Sequence, residues 1–144
     1  MVKDKSLQEV VAGRPVLTVE ADASVQEAAR LMKEYCVGAI LVEEKGRLRG
    51  IFTERDMVFR VVAEGLNPLS TPISQVMSVQ LVLGHPQETH ILALSRMAAA
   101  GVRHLPVVED TRVVGMVSRR QLMALDIALM DADIDRREAS HLFI

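Results

Sequence analysis

The chain has 144 residues, with 17 Lys plus Arg against 19 Asp plus Glu, giving a formal charge of −2. This balance argues against a protein whose main task is to grip nucleic-acid phosphates. Hydrophobic residues make up 49% and charged residues 25%, an ordinary globular composition, while 3% aromatic residues and no Trp disfavour stacking platforms for single-stranded nucleic acid. The lone cysteine, Cys36, excludes an intrachain disulfide and fits a reducing compartment. No apolar run has the length of a signal peptide or a bilayer span. The expectation is a cytoplasmic protein with neither nucleic acid nor membrane as partner.

In chain order, Val16-Leu17-Thr18-Val19 is a short β-type run. Ser24 stands at an N-cap with Glu27 three residues on, and Val25, Ala28, Ala29 and Met32 then mark one apolar helix face. Val37 to Val42 is an apolar run of strand length. Glu43-Glu44-Lys45-Gly46 is a turn, and Leu48 to Phe52 returns. Thr53 can cap a helix over Glu54 to Glu64, with Gly65 just past its end. After the linker Asn67-Pro68-Leu69-Ser70-Thr71-Pro72 the order recurs. Leu81 to Leu83 reads as a strand, Thr89 caps Ile91 to Ala100, and Gly101 ends that helix. His104 to Val108 and Val113 to Val117 are strands, and Ser118 caps a helix toward Met130. The tail, 131–144, is expected to be helical or flexible, with Arg136-Arg137-Glu138 as a solvated face.

The recurrence is a repeat. A shift of 65 positions brings Val11 onto Val76, Ala28 onto Ala93, Met32 onto Met97, Val37 onto Val102 and Val42 onto Val107. It also brings Glu44 onto Glu109, Arg47 onto Arg112, Gly50 onto Gly115 and Arg55 onto Arg120. These nine identities need no gap, the self-similarity that marks a tandem architecture.

Each copy ends in one signature, Gly50-Ile51-Phe52-Thr53-Glu54-Arg55-Asp56 and Gly115-Met116-Val117-Ser118-Arg119-Arg120-Gln121. With the strand Arg103-His104-Leu105-Pro106-Val107-Val108, the pattern resembles a tandem cystathionine-β-synthase (CBS) domain pair, or Bateman module, over roughly residues 7 to 128. The resemblance implies an α/β (α+β) fold of two β-α-β-β-α motifs, 7–66 and 73–130, packed about a pseudo-two-fold axis. It implies a regulatory module with no attached catalytic domain. Clefts between the copies would bind adenosine nucleotides or related adenosyl compounds: AMP, ADP, ATP, NAD or S-adenosylmethionine. Mg²⁺ would accompany only a polyphosphate. A homodimer and a downstream protein partner are the other implications. The rival reading is an interaction module whose clefts hold no ligand.

The residues suit a nucleotide on their own terms. Thr53 at a strand-to-helix junction offers a hydroxyl beside first-turn N–H groups, where a phosphate fits. Asp56 can accept both hydrogen bonds of a ribose diol. Arg55 adds positive charge, and Ile51, Val79 and Val102 can form an apolar adenine slot. The plain alternative is that Thr53 only caps and Asp56 only complements the helix dipole. In the second copy Gln121 replaces the aspartate and is a poorer diol clamp. Arg103, His104, Ser118, Arg119 and Arg120 instead make that cleft the more basic one, suited to a nucleotide or bare anion. The clefts are expected to be unequal. His85, His90, His104 and His141 match no metal-ligand spacing. Cys36 reads as a small core residue rather than a nucleophile, and Met32, Met97, Met116, Met123 and Met130 as core.

Overall fold

The computed structural model describes residues 4–142, with side chains through residue 136. Helix α1 (Leu7–Val11) comes first, then β1 (Thr18–Glu20), α2 (Val25–Tyr35), β2 (Ala39–Glu44), β3 (Arg47–Thr53) and a helical turn α3 (Glu54–Asp56). A wider turn, Met57–Val62, and a 3-10 turn, Ile73–Gln75, lead to α4 (His90–Ala100), β4 (His104–Glu109), β5 (Arg112–Ser118) and α5 (Arg119–Leu142).

The chain forms two compact units that exchange segments relative to the sequence repeat. One holds Pro15–Leu81 with Asp110–Val113. The other holds α1 with Val82–Glu109 and the chain from Val114 onward. The N-terminal segment therefore packs with the second repeat, and Ile73 to Leu81 with the first.

In the unit of the first repeat, β1 pairs in parallel with β2, and β2 pairs antiparallel with β3. Its core gathers Val25, Ala28 and Met32 of α2, Ile40, Val42 and Phe52 of the sheet, and Val61, Ile73, Val76 and Met77. Gly50 is a requirement of close approach, since a Cβ there would fall 2.7 Å from Met77 Sδ and 2.8 Å from the Ser78 carbonyl oxygen. In the other unit Leu7 and Val11 of α1 join Ala93, Met97, Leu105, Val107, Val117 and Leu122. Gly115 has the matching role, because its Cβ would lie 2.5 Å from the Val11 Cβ. The signature glycine of each copy thus makes room for the segment exchanged into its unit.

Several expectations are corrected. The first strand is Thr18–Glu20, slightly later than Val16 to Val19. Leu81 to Leu83 is no strand; pairing there shrinks to one parallel bridge between Gly84 and Val107. The reason is chemical. In the first copy Leu41 N–H donates to the Leu17 carbonyl at 3.2 Å. The residue 65 positions later is Pro106, which has no N–H to donate. The helix expected over Glu54 to Glu64 is one α-turn followed by a π-turn, with Ala63 N–H donating to Val58 O at 2.9 Å. Its Val58, Val61 and Val62 are β-branched and resist regular helix.

Gly65 closes that segment at φ +68°. The last helix continues from Arg119 through the tail to Leu142, the helical one of the two states expected there. Cys36 is exposed, at φ 52°, as the left-handed C-cap of α2, the position Gly101 fills after α4. Met32 and Met97 are buried, but Met123 and Met130 are about half exposed. Arg136 is exposed, and the side chains of Arg137, Glu138 and His141 lie outside the described part.

Candidate functional site

In the first repeat the β3–α3 junction brings Thr53 and Asp56 together as a reciprocal cap. Asp56 Oδ2 accepts from Thr53 N–H at 2.9 Å and from Thr53 Oγ1 at 3.1 Å, while Asp56 N–H donates to Thr53 Oγ1 at 3.3 Å. The other carboxylate oxygen, Oδ1, accepts from Ser78 Oγ at 3.0 Å and lies 3.5 Å from Arg60 Nε. Arg60 Nη1 in turn donates to the Met77 carbonyl at 2.9 Å. Asp56 is 6% exposed, so this buried charge is paired and fully hydrogen-bonded, as burial requires.

Ser78 is held by a two-way backbone pairing with Ile51, at 2.9 and 2.8 Å. Ile51 is buried and Val79 is exposed. Val102 belongs to the other unit, half-buried against its core. Arg55 is exposed, with its guanidinium 5.0 Å from the Phe59 ring centre, a cation–π contact one turn along the same segment. The first-turn donors are partly committed. Glu54 N–H donates to Gly38 O at 3.0 Å and Asp56 N–H to Thr53.

Sequence reasoning missed Ser78 and Arg60. Arg60 was legible, because an acid and a base four residues apart on one helix pair up. Ser78 was not, because nothing local brings residue 78 to residue 56.

In the second repeat the same junction is rebuilt with an amide. Gln121 N–H donates to Ser118 Oγ at 3.1 Å, and Gln121 Oε1 accepts from Ser118 N–H at 3.4 Å. Because Oε1 is used there, the amide nitrogen faces away. Gln121 Nε2 is buried without a hydrogen-bond partner among the described residues. Gln121 also lines a pocket of about 550 Å³ together with Lys5, Glu9, Val10, Arg14, Ala124 and Leu125. Arg103 and Arg119 are joined through backbone, Arg119 N–H donating to Arg103 O at 2.8 Å. Their side chains and that of Arg120 are exposed, and His104 is half-buried. The cations that line this pocket are thus Lys5 and Arg14, which sequence reasoning did not name.

The copies differ most at one more pair. Leu125 stands 65 positions after Arg60. The guanidinium that crosses to the exchanged segment in one unit has only an alkyl group as its counterpart in the other. No group of three or more His, Cys, Asp or Glu side chains that could hold a metal occurs among the described residues. No helix among them is long and apolar enough to cross a membrane.

The family model of the CBS domain matches residues 7–63 and 73–127. The CBS domain-containing protein YhcV of Bacillus subtilis (strain 168) is 44% identical over 103 residues, 72% of this chain and 73% of that protein. Against the CBS domain-containing protein CBSCBSPB5 of Arabidopsis thaliana the identity is 33% over 124 residues, and this chain spans 23% of that protein's length. Among solved structures, a protein of Burkholderia ambifaria MC40-6 described as a candidate signal-transduction protein with CBS domains superposes with a TM-score of 0.80. It is 26% identical, over 86% of this chain and 95% of that one. The hexameric CBS-CP12 protein from bloom-forming cyanobacteria gives a TM-score of 0.74 at 26% identity, over 83% of this chain and 67% of that one. With both copies of the model matched and each signature glycine and cap in its structural place, this chain belongs to the CBS-domain family as a tandem pair.

Proposed function

We propose that this chain is a ligand-responsive regulatory module, not an enzyme, which recognises an adenosyl compound through its first repeat and passes the signal to a protein partner. The observation that carries this reading is the state of Asp56. Its carboxylate is held in one orientation by Thr53, Ser78 and Arg60, so a diol that displaces the Ser78 hydroxyl from Oδ1 would meet a preorganised acceptor. Family membership supports the same reading. AMP or ATP is the first ligand class to test, with Mg²⁺ only beside a polyphosphate. The cellular setting that fits is the cytoplasm, and the assembly a homodimer.

One observation favours a second reading, an interaction module without ligand. Every contact of Asp56 described above is satisfied within the chain, as a purely structural cap would be. Calorimetry with AMP, ADP, ATP, NAD and S-adenosylmethionine separates the two. Binding of at least one of them, weakened by about 1.5–3 kcal/mol in a folded Asp56→Ala variant, is the expected result. No heat with any of the five would leave the interaction module standing.

A further inference from the structure

His90, the first residue of α4, is completely buried. Its backbone N–H donates to the Lys5 carbonyl at 2.7 Å. Its ring Nδ1 lies 3.0 Å from the Lys5 backbone nitrogen, and its Nε2 lies 3.2 Å from Asp126 Oδ1 on α5. The protonation state follows from the partners. A backbone N–H only donates, so Nδ1 must be a bare acceptor, and the ring proton sits on Nε2, given to Asp126. The imidazole is neutral and both nitrogens are occupied. In the first copy the corresponding positions are Val25 and Val61, both buried in the core. There Val25 N–H makes the equivalent backbone bond, to Thr71 O at 3.0 Å. The fold can therefore close this junction with two valines, and the histidine–aspartate pair adds something that closure does not require.

We propose that His90 is a proton-sensitive clasp on the N-terminal segment, closed when the ring is neutral and released when it is protonated. A proton from solvent taken up on the Nδ1 lone pair turns that nitrogen into a donor facing another donor. The Lys5 N–H then loses its acceptor and the segment leading into α1 comes away. Asp126 attracts the imidazolium, but it stands on the Nε2 side and already receives that N–H, so it supplies no acceptor at Nδ1. Lys5 Nζ lies 3.6 Å from Glu9, and Arg96 on α4 holds Glu88 at 2.6 Å. Because the proton binds the released state, that state grows as pH falls, and the clasp is closed at high pH. Release also removes Lys5, Glu9, Val10 and Arg14 from the wall of the pocket beside Gln121.

Amide exchange read by nuclear magnetic resonance tests this on the full chain. Leu7 N–H donates to Glu88 O at 2.8 Å and Gln8 N–H to Pro86 O at 2.9 Å, so both report docking of the segment. Between pH 8 and pH 5, the span in which histidines change charge, their protection factors should fall about tenfold or more, while those of α2 hold. At pH 8 the His90 ring should show a bare Nδ1 and a protonated Nε2. Two variants remove the titration without removing the junction. His90→Gln keeps one acceptor and one donor, and His90→Val with Asp126→Val copies the first repeat; in both, protection at Leu7 and Gln8 should not depend on pH. Unchanged protection in the parent, the same pH-dependent loss in either folded variant, or a doubly protonated ring with a protected Lys5 amide would overturn the proposal.

Discussion

Asp56 is a structural residue whatever ligand role is proposed for it. Its carboxylate closes the Thr53 cap, holds Ser78 and pairs with Arg60 while only 6% exposed. Asp56→Ala should therefore cost stability as well as affinity, about 1–3 kcal/mol in denaturant unfolding from the lost cap and orphaned partners. Asp56→Asn keeps an acceptor for Thr53 N–H and should lose roughly half as much. A ligand effect larger in Asn than its stability effect would separate the two roles. Cys36 makes the opposite case. It takes a left-handed conformation, φ 52°, at a C-cap where the second copy uses Gly101. A left-handed side-chain-bearing residue costs ~1–2 kcal/mol, against ~0.5–1 kcal/mol of extra chain entropy lost by glycine. Cys36→Gly should thus stabilise the chain by about 0.5–1 kcal/mol in the same measurement, and a destabilised variant would contradict that balance.

At the scale of elements, the sequence was most readable where local chemistry decides. Ser24, Thr53, Thr89 and Ser118 all cap where their spacing places them, because a side-chain oxygen three residues from a free N–H needs no tertiary partner. The misses have long-range causes. The missing strand at Leu81 to Leu83 is the consequence of Pro106, a residue on the neighbouring strand. Pro106→Leu restores the absent donor, and the new amide at 106 should be protected from exchange by the Val82 carbonyl; rapid exchange there would place the cause elsewhere. The site was half legible for the same reason. Thr53 and Asp56 share one turn, but Ser78 arrives on an exchanged segment, and Gln121 shares its pocket with Lys5 and Arg14, which flank α1. Helix α5 carries a further expectation. Met123, Ile127, Met130 and Ile134 are 45–58% exposed and spaced four, three and four apart, the interval of a helix-pairing seam. Exposed apolar surface of this kind marks association, and the other unit has its own exposed stretch in Val58, Phe59 and Val62. Sedimentation should give a two-chain particle, and Ile127→Glu should yield monomers with unchanged circular dichroism. A parent that sediments as a monomer at tens of micromolar would count decisively against the seam.

Across the whole molecule, one fold carries two copies whose chemistry has diverged at matched positions. Thr53, Asp56 and Arg60 correspond to Ser118, Gln121 and Leu125, and Ser78 to Ala12, since Leu7 N–H bonds Glu88 as Ile73 N–H bonds Ala23 and Gln8 N–H bonds Pro86 as Ser74 N–H bonds Ala21. Both copies keep the hydroxyl and the cap. Only the first keeps a charge, a counter-charge and a second hydroxyl around it. A carboxylate at 121 would sit in a half-buried place where Lys5 and Arg14 line the same pocket, but no guanidinium one turn along its own helix would hold it as Arg60 holds Asp56, so desolvation would oppose its burial. Gln121→Asp alone should therefore give at most a weak second site for AMP. Gln121→Asp with Leu125→Arg supplies a guanidinium at the position that Arg60 holds in the first copy, where it lies 3.5 Å from Asp56. Ala12 carries no hydroxyl where the first copy has Ser78, so the new site should remain the weaker one. Titration with AMP should give one equivalent per chain for the parent and approach two for the double variant. If the double variant folds and keeps the parent's stoichiometry and affinity, the aspartate–arginine pair is not what makes the two copies unequal.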